Sequence, residues 1–160
     1  GTVLGEGMPE KTAANIFIDS GLRGKPLTPF RHSMFRPMLY VDVDDVCRAY
    51  ENFARKILNG EVSEEGNSLD HIFNVYYPGP VTILELAEIV RDAIVKYSDG
   101  RVQPEIEVLD TGQPSVFGEE DKKLVSVDMS KALNFLGLEG LKSPRESIEE
   151  IVKMNMEPRK

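Results

Sequence analysis

The sequence is poor in the residues that build disulfides and metal centres. Its 160 residues include a single cysteine, Cys47, and two histidines, His32 and His71. One thiol cannot form an internal disulfide, and with two histidines it cannot complete a tetrahedral structural zinc site without carboxylates. The composition therefore excludes a disulfide-stapled secreted domain and predicts a cytoplasmic protein with no metal site.

Long apolar runs and an excess of positive charge are also missing. No stretch of about 18 apolar residues is present to span a bilayer, and no basic region precedes an apolar run at the amino terminus. Nineteen Lys and Arg face 27 Asp and Glu, which gives a net charge of −8. We expect no membrane insertion and no nucleic-acid binding, because a polyanion would meet a repelling field.

Motifs for a complete catalytic centre are absent as well. No glycine-rich dinucleotide or phosphate loop follows a full strand, although Gly5 and Gly7 leave a phosphate turn as the weaker alternative to a plain turn. We expect structural or surface roles for His32 and His71, and a small apolar filler in Cys47 at a buried helix position. The chain is thus predicted to contain no catalytic, cofactor-binding or metal-binding residue.

What the sequence does contain is an alternation of short strands and amphipathic helices. Apolar residues at helical spacing predict helices over 13–22, 46–57, 86–97, 129–136 and 144–154. Runs of apolar and β-branched residues predict short strands at 2–4, 26–30, 38–43, 71–77, 104–109 and 125–127. This alternation predicts an α/β fold with one core. Polar loops over 60–70 and 110–123 are expected to connect some of its elements.

Three of the predicted helices begin at recognisable capping residues. Thr82 and Glu85 have the spacing of a capping box, as do Ser143 and Glu146, with proline at the first helical position of the latter. Asp128 is the expected cap of the helix that follows it. These starts divide the carboxy-terminal half of the chain into separate helical units.

The acidic run Asp42, Asp44 and Asp45 has two interpretations. Clustered carboxylates could hold a hard cation such as Mg²⁺ or Ca²⁺. However, Asp42 and Asp44 would project from one side of a strand, while Asp45 belongs to the start of a helix. We favour a helix cap at Asp44 or Asp45 and a solvated strand edge.

Two arginines mark the best candidate anion site. Arg31 and Arg36 lie beside Phe30 and Phe35 in a segment with few acidic neighbours. A guanidinium can hold a phosphate in a bidentate manner. An ordinary salt bridge to the acidic excess is the open alternative.

Four segments in order resemble the extended short-chain dehydrogenase/reductase family, which contains the NAD-dependent nucleotide-sugar epimerases and dehydratases. Residues 24–30 (GKPLTPF) and 36–49 (RPMLYVDVDDVCRA) are similar to its G-K-P-L … R-x-F-V-Y-V-x-D-V-A-x-A stretch. Residues 73–75 with 81–87 resemble Y-N-V-G … V-S-I-x-E-L-A. Residues 127–151 resemble the D-x-S-K-A … L-G-W-x-P … S-L-E-E-G-I ending, and 2–5 stand in the place of N-V-Y-G.

The resemblance implies that this chain is the carboxy-terminal, substrate-binding portion of an extended short-chain dehydrogenase, a small mixed sheet with helices that lacks most of the Rossmann domain. In the family the amino-terminal half supplies the NAD turn, the catalytic Ser or Thr and a Y-x-x-x-K pair. None of the five tyrosines here has a lysine four residues later. NAD is therefore expected in the full-length protein, bound by an amino-terminal Rossmann half outside residues 1–160, and this chain alone is expected to be inactive.

The resemblance also implies which residues hold a nucleotide-diphosphate sugar. Arg36 matches the arginine that binds the diphosphate. Thr28 and Phe30 match the strand along the nucleobase, and Thr2 stands where an asparagine usually contacts the substrate near its phosphates. The loop over 110–123 lacks the family's second phosphate-binding arginine, for which Lys122 or Lys123 is the candidate substitute.

Three hypotheses about the whole protein remain open at this point. The first is a fragment of an NAD-dependent nucleotide-sugar epimerase or dehydratase, with a homodimer as a possible assembly; the strand cut short at residue 1 favours a fragment over an ordinary frayed terminus. The second is a non-catalytic nucleotide-sugar-binding or interaction module with the same fold. The third is a standalone α/β domain whose first strand finds its neighbours within these residues.

Overall fold

The chain folds into short strands and longer helices, which the computed structural model describes for residues 2–62 and 72–157. The strands are β1 (Thr2–Leu4), β2 (Pro37–Met38), β3 (Tyr40–Asp42) and β4 (Val81–Thr82). The α-helices are α1 (Ala13–Leu22), α2 (Val43–Leu58), α3 (Ile83–Tyr97), α4 (Ser130–Leu136) and α5 (Pro144–Met156). Two 3₁₀ turns cover Arg31–Ser33 and Glu119–Leu124. All five predicted helices are confirmed.

The strands form two small sheets of different kinds. β1 and β3 are parallel, with Thr2 opposite Tyr40 and Leu4 opposite Asp42. β2 and β4 are antiparallel, and isolated parallel bridges join Leu27 to Ile106 and Phe30 to Leu109. The predicted α/β architecture with a small mixed sheet is confirmed.

Helices α1, α3 and α5 enclose the main hydrophobic core together with the end of β1. α3 contacts both α1 and α5, and α5 also contacts β1 and β3. The fully buried side chains of this core include Leu4, Leu27, Leu86, Ala87, Val90, Ile94, Ile148 and Val152. A second, smaller cluster joins α2 to α4 through Ala49, Met129, Ala132, Leu136 and Leu138.

The capping boxes predicted from local sequence are present. The Thr82 hydroxyl accepts from the Glu85 N–H at 3.1 Å, and the Glu85 carboxylate accepts from the Thr82 N–H at 2.8 Å. Ser143 and Glu146 make the same reciprocal pair at the start of α5. The prediction of Asp128 as the cap of α4 is wrong by one residue, because the N-cap is Met129; the Asp128 carboxylate accepts from the Ser130 N–H at 2.9 Å from the position before it. Local spacing alone was sufficient to place the starts of α3 and α5.

The predicted cap of α2, Asp44 or Asp45, is wrong by two or three residues. The helix begins earlier than its apolar periodicity indicates, and Asp42 is the N-cap, whose carboxylate accepts from the Asp44 N–H at 2.8 Å. Asp42 and Asp45 are 3% and 4% exposed, so they do not form a solvated edge. Each buried carboxylate is instead a hydrogen-bond acceptor, which removes the cost of burying it unpaired.

The predicted strands at 71–77 and 125–127 are wrong over the residues that the structure describes. His71 lies outside the described residues, and 72–77 is an extended segment without a ladder, whose Tyr77 N–H donates to the Tyr40 carbonyl at 2.8 Å. The segment 104–109 forms only the two isolated bridges. Strand propensity produces a strand only where a neighbouring strand is available to pair.

Three positions of α2 that were expected to be buried are exposed. Cys47 is exposed on α2 and is not an apolar filler. Tyr50 and Ile57, which share the apolar face of α2, are 74% and 52% exposed. In the described part of the chain, no helix has both the length and the apolar character required to cross a bilayer.

Candidate functional site

Two extended segments place the predicted nucleobase-binding residues at the surface. The Leu27 N–H donates to the Glu105 carbonyl at 2.8 Å, and the Leu109 N–H donates to the Pro29 carbonyl at 2.9 Å. These bonds join the backbone of residues 27–30 to that of residues 105–109. Thr28 is half-buried between the two bridges, and the Phe30 side chain is 46% exposed.

A tight turn carries the chain from Phe30 to the predicted diphosphate-binding arginine. After the 3₁₀ turn, the Arg36 N–H donates to the Ser33 carbonyl at 3.0 Å. Arg36 is exposed, and its guanidinium makes no ion pair or hydrogen bond with any residue within 2–62 or 72–157. Each of the other described arginines has an ion pair or a hydrogen-bonded carbonyl. The alternative of an ordinary salt bridge is therefore not realised at Arg36.

Arg31, the other arginine of the segment, is already engaged. Its Nε lies 3.3 Å from Oδ2 of Asp110, and its backbone N–H donates to the Leu109 carbonyl at 2.8 Å. The two arginines therefore differ in their partners. Arg31 ties the loop after residue 109 to the strand, and Arg36 is left available for an anion.

The buried phenol of Tyr40 lies within the electrostatic reach of Arg36. Burial raises the pKa of Tyr40 to about 12, and the nearby positive charge of Arg36 opposes that rise in part. Tyr40 is 2% exposed. The Tyr40 side chain is therefore uncharged at neutral pH and lies near the Arg36 guanidinium.

Thr2 lies on β1, the strand that pairs with the strand of Tyr40. Its N–H donates to the Leu39 carbonyl at 3.1 Å, and its Cα is in register with Tyr40. No hydrogen bond joins Thr2 to Thr28, Phe30 or Arg36 in the described part of the chain. Thr2 is thus in register with Tyr40, and Arg36 lies near the same tyrosine. Thr28 and Phe30 lie in the segment before the turn, which forms only isolated bridges.

A histidine that the sequence analysis set aside lies in the middle of this segment. His32 is half-buried, and its ring stacks on Phe30 with centroids 5.6 Å apart and planes 16° apart. Its Nδ1 lies 3.3 Å from the Thr111 hydroxyl oxygen, and its carbonyl accepts from the Val116 N–H at 3.4 Å. Only its position between Phe30 and Arg36 could have indicated this from the sequence.

The two lysines considered as substitute phosphate ligands both have carboxylate partners. The Lys122 ammonium binds Glu85, and the Lys123 ammonium binds Glu120. Burial opposes the ionisation of Glu85, but hydrogen bonds from Lys122 and from the Thr82 backbone hold the pKa of Glu85 below its usual range. Lys122 is therefore neutralised at the start of α3, and Arg36 is the stronger anion candidate.

The acidic run at the start of α2 has a structural partner far along the chain. The buried Asp45 carboxylate accepts from the Lys142 backbone N–H at 2.8 Å and from Arg48 at 2.6 Å. The Lys142 ammonium bonds Glu150 and Asp44, and these bonds raise its pKa. No set of three His, Cys, Asp or Glu side chains in the described ranges is placed to hold a metal ion. The carboxylates fasten the segment before α5 to α2.

An open apolar cleft lies beside the parallel strands. It has a volume of about 400 Å³ and is lined by β1, β3, α2, the extended segment 73–76 and the end of α4. Val3 and Tyr50 at its border are 42% and 74% exposed. Among the described residues that line the cleft there is no His, Cys, Lys, Arg, Asp or Glu.

Comparisons with known proteins find similarity in structure but none in sequence. No family model and no curated protein matches the sequence. A UDP-glucuronic acid 4-epimerase from Bacillus cereus, solved in complex with NAD, matches with a TM-score of 0.60 at 19% identity over 98% of this chain and 44% of that chain. A UDP-galactose 4-epimerase matches with a TM-score of 0.60 at 15% identity over 95% of this chain and 42% of that chain.

A dehydratase shares the same architecture. A dTDP-glucose 4,6-dehydratase from Bacillus anthracis in complex with NAD matches with a TM-score of 0.62 at 16% identity, covering 95% of this chain and 41% of that chain. The chain has the fold of the carboxy-terminal part of epimerase and dehydratase structures. It spans less than half the length of these enzymes. At such identities the comparison establishes the fold and leaves substrate and activity to be argued from the site.

Proposed function

We propose that this chain is the nucleotide-sugar-binding part of an NAD-dependent nucleotide-sugar epimerase or dehydratase of the extended short-chain dehydrogenase family. The observation that carries the proposal is the unpaired Arg36 guanidinium, exposed at the end of a turn from Phe30 within this fold. In a chain of net charge −8, a free guanidinium is a specific feature rather than part of a general positive field. It suits a diphosphate, which it can hold through two parallel hydrogen bonds.

The remaining ligand contacts follow the order of the segment. Phe30 offers an exposed aromatic face to the nucleobase, and Thr28 offers a hydroxyl beside the same strand. Thr2, which is in register with Tyr40, is assigned a contact with the substrate near its phosphates. Residues 1–160 then form one substrate-binding unit.

The redox and proton-transfer steps are assigned to residues outside this chain. NAD, when bound, accepts and returns a hydride. The glycines after β1 do not fit a dinucleotide turn, because α1 begins only at Ala13 and no G-x-G-x-x-G motif lies between them. We assign NAD to an amino-terminal Rossmann half of a protein located in the cytoplasm.

The apolar cleft supports the proposal of a partner half. A parallel strand pair is normally covered on both faces, yet Val3 of β1 and Tyr50 of α2 are exposed at the cleft border. The extended segment 73–76 along the same cleft has no strand partner in the described residues. Apolar strands of the Rossmann half would cover these groups. A homodimer of the complete protein is compatible with this arrangement.

Titration calorimetry with UDP tests the site directly. We expect Arg36→Ala to weaken UDP binding by roughly 1.5 to 3 kcal/mol, the value of a charge-assisted hydrogen-bonded contact. Arg23→Ala is the matched control, because it removes the same charge from an exposed ion pair on α1 with Asp19. Equal UDP affinity in the Arg36 variant and the unmodified protein would remove Arg36 from the site.

The non-catalytic binding module remains the second candidate because this chain carries no Y-x-x-x-K pair. The two candidates predict the same UDP binding but different chemistry. The presence of G-x-x-G-x-x-G and Y-x-x-x-K in an encoded segment before residue 1 would support the enzyme. Turnover of UDP-glucose or UDP-glucuronic acid with NAD in the complete protein would then decide between them.

A further inference from the structure

The rings of Phe30 and His32 stack on each other with a sideways offset, so that together they form a step. Their planes differ by only 16°, and their centroids are 5.6 Å apart. Face-to-face carbon contacts lie at about 3.5 to 4.0 Å, so a larger centroid distance means that the rings are displaced sideways. Each ring therefore covers only part of the other, and Phe30 stays 46% exposed.

His32 also links this step to the loop that begins at Asp110. Its Nδ1 is 3.3 Å from the Thr111 hydroxyl, and its carbonyl accepts from the Val116 N–H. The adjacent Arg31 adds the ion pair with Asp110 at 3.3 Å. These contacts fix the backbone on both sides of the imidazole, so a flat ligand meets a ring that is already in place.

The turn that follows places a charge beside the rings. The hydrogen bond from the Arg36 N–H to the Ser33 carbonyl closes a four-residue turn, whose end Cα atoms lie within about 7 Å of each other. An aromatic surface and a free guanidinium therefore share one short stretch of chain. A ligand that combines a planar base with phosphate groups uses both.

We propose that His32 is a ligand-contacting residue, the second ring of a Phe30–His32 platform on which the nucleobase stacks. This inference rests on the proposed nucleotide-sugar site and adds to it a residue for base recognition. Arg36 binds the diphosphate, and the platform distinguishes a nucleotide from a bare phosphate anion. Stacking tolerates different bases, because every base has an aromatic face.

The test compares UDP with inorganic pyrophosphate, which lacks a base. Calorimetric titrations of the purified protein are made for His32→Ala, His32→Phe and Arg36→Ala. We expect His32→Ala to weaken UDP binding by about 5- to 100-fold, the range found for one base–aromatic stack, and to leave pyrophosphate binding unchanged. His32→Phe keeps a ring and should stay within about threefold of the unmodified protein, whereas Arg36→Ala should weaken both ligands.

Three results would overturn the inference. The first is unchanged UDP affinity in His32→Ala, and the second is an equal loss in His32→Ala and His32→Phe, which would assign the effect to the Thr111 hydrogen bond. The third is an equal loss for UDP and pyrophosphate. Should the alanine variant fail to fold by circular dichroism, the phenylalanine variant and Thr111→Val carry the test, since both are expected to retain UDP binding. Failure of the unmodified protein to bind UDP would reject the proposed function as well.

Discussion

The α1–α3–α5 core and the cleft beside α2 have similar apolar side chains but differ in how far those side chains are exposed to solvent. Both are lined by aliphatic and aromatic side chains at helical or strand spacing. In the core, Leu86 and Val90 are 0% exposed, whereas Tyr50 at the cleft border is 74% exposed. The amphipathic pattern of α2 is as regular as that of α3. Burial of an apolar face therefore depends on what is available to cover it, and α2 lacks part of its cover in the described residues.

The largest effect is expected in the closed core. Leu86→Ala should lower the free energy of unfolding by about 2 to 5 kcal/mol, because it leaves a cavity among fully buried neighbours. Leu58→Ala is the matched control at a position that is 85% exposed, and it should change the free energy by less than about 0.5 kcal/mol. Urea denaturation measures both. Similar losses for the two variants would contradict the distinction between a closed and an open region.

Tyr40 tests the boundary between the core and the candidate site. Its pKa is raised from 10.0 to about 12, so the folded state retains the phenolic proton where the unfolded state loses it. The contribution of Tyr40 is fully present below pH 10 and falls by up to roughly 3 kcal/mol as the pH rises to 12.

Tyr40→Phe should remove this part of the alkaline loss of stability. Absorbance titration at alkaline pH should show a late ionisation step from Tyr40 in the unmodified protein, and this step should be lost in the variant. An identical fall in stability above pH 10 for both proteins would show that the Tyr40 hydroxyl is not buried as described.

The Asp45 contact joins the two regions. Asp45→Ala should cost about 2 kcal/mol, because the Lys142 N–H and Arg48 lose a buried charged acceptor. Asp44→Ala, the control, removes a carboxylate that is 74% exposed and should cost less than about 1 kcal/mol. Thermal unfolding near neutral pH compares the two variants. A greater loss for Asp44→Ala would reverse the assignment of the structural carboxylate.

The smallest effect on stability is expected at the open cleft. Tyr50→Ser should change the free energy of unfolding by less than about 0.5 kcal/mol, because the side chain is mostly exposed already. It should instead reduce self-association of the purified chain, since it removes apolar surface. Analytical ultracentrifugation over a range of concentrations measures this. A stability loss above about 1 kcal/mol would show that the cleft is closed in solution.

Local sequence predicted the features that depend on local contacts. The capping boxes at Thr82 and Ser143 use residues three positions apart, and both starts were placed correctly. The segment 72–77 has equally strong strand residues, but a strand requires a neighbour that no local pattern supplies. The burial of Asp45 depends on Lys142, and 97 residues separate the two.

The candidate site was partly accessible from the sequence. Arg36 was selected by resemblance, and the structure adds that its guanidinium has no partner among the described residues. Thr2, Thr28 and Phe30 stay predictions as substrate ligands. His32 was assigned a structural or surface role because its spacing from His71 does not pair the two histidines. Its stacking on Phe30 occurs within the 3₁₀ turn that Phe30 caps and that includes His32, and the sequence did not predict this turn.

The hydrogen bond from the Lys142 N–H to Asp45 has a consequence for the order of folding. During synthesis, Asp45 leaves the ribosome about 100 residues before its partner, so its carboxylate remains hydrated until the segment around Lys142 has emerged. A shorter delay applies to α3, whose contacts with α5 are the most extensive between any two of the described elements. Contacts of such long separation form slowly because a large loop must close first. In the nascent protein this core therefore stays unfinished until α5 has emerged, and α5 is the element that completes it.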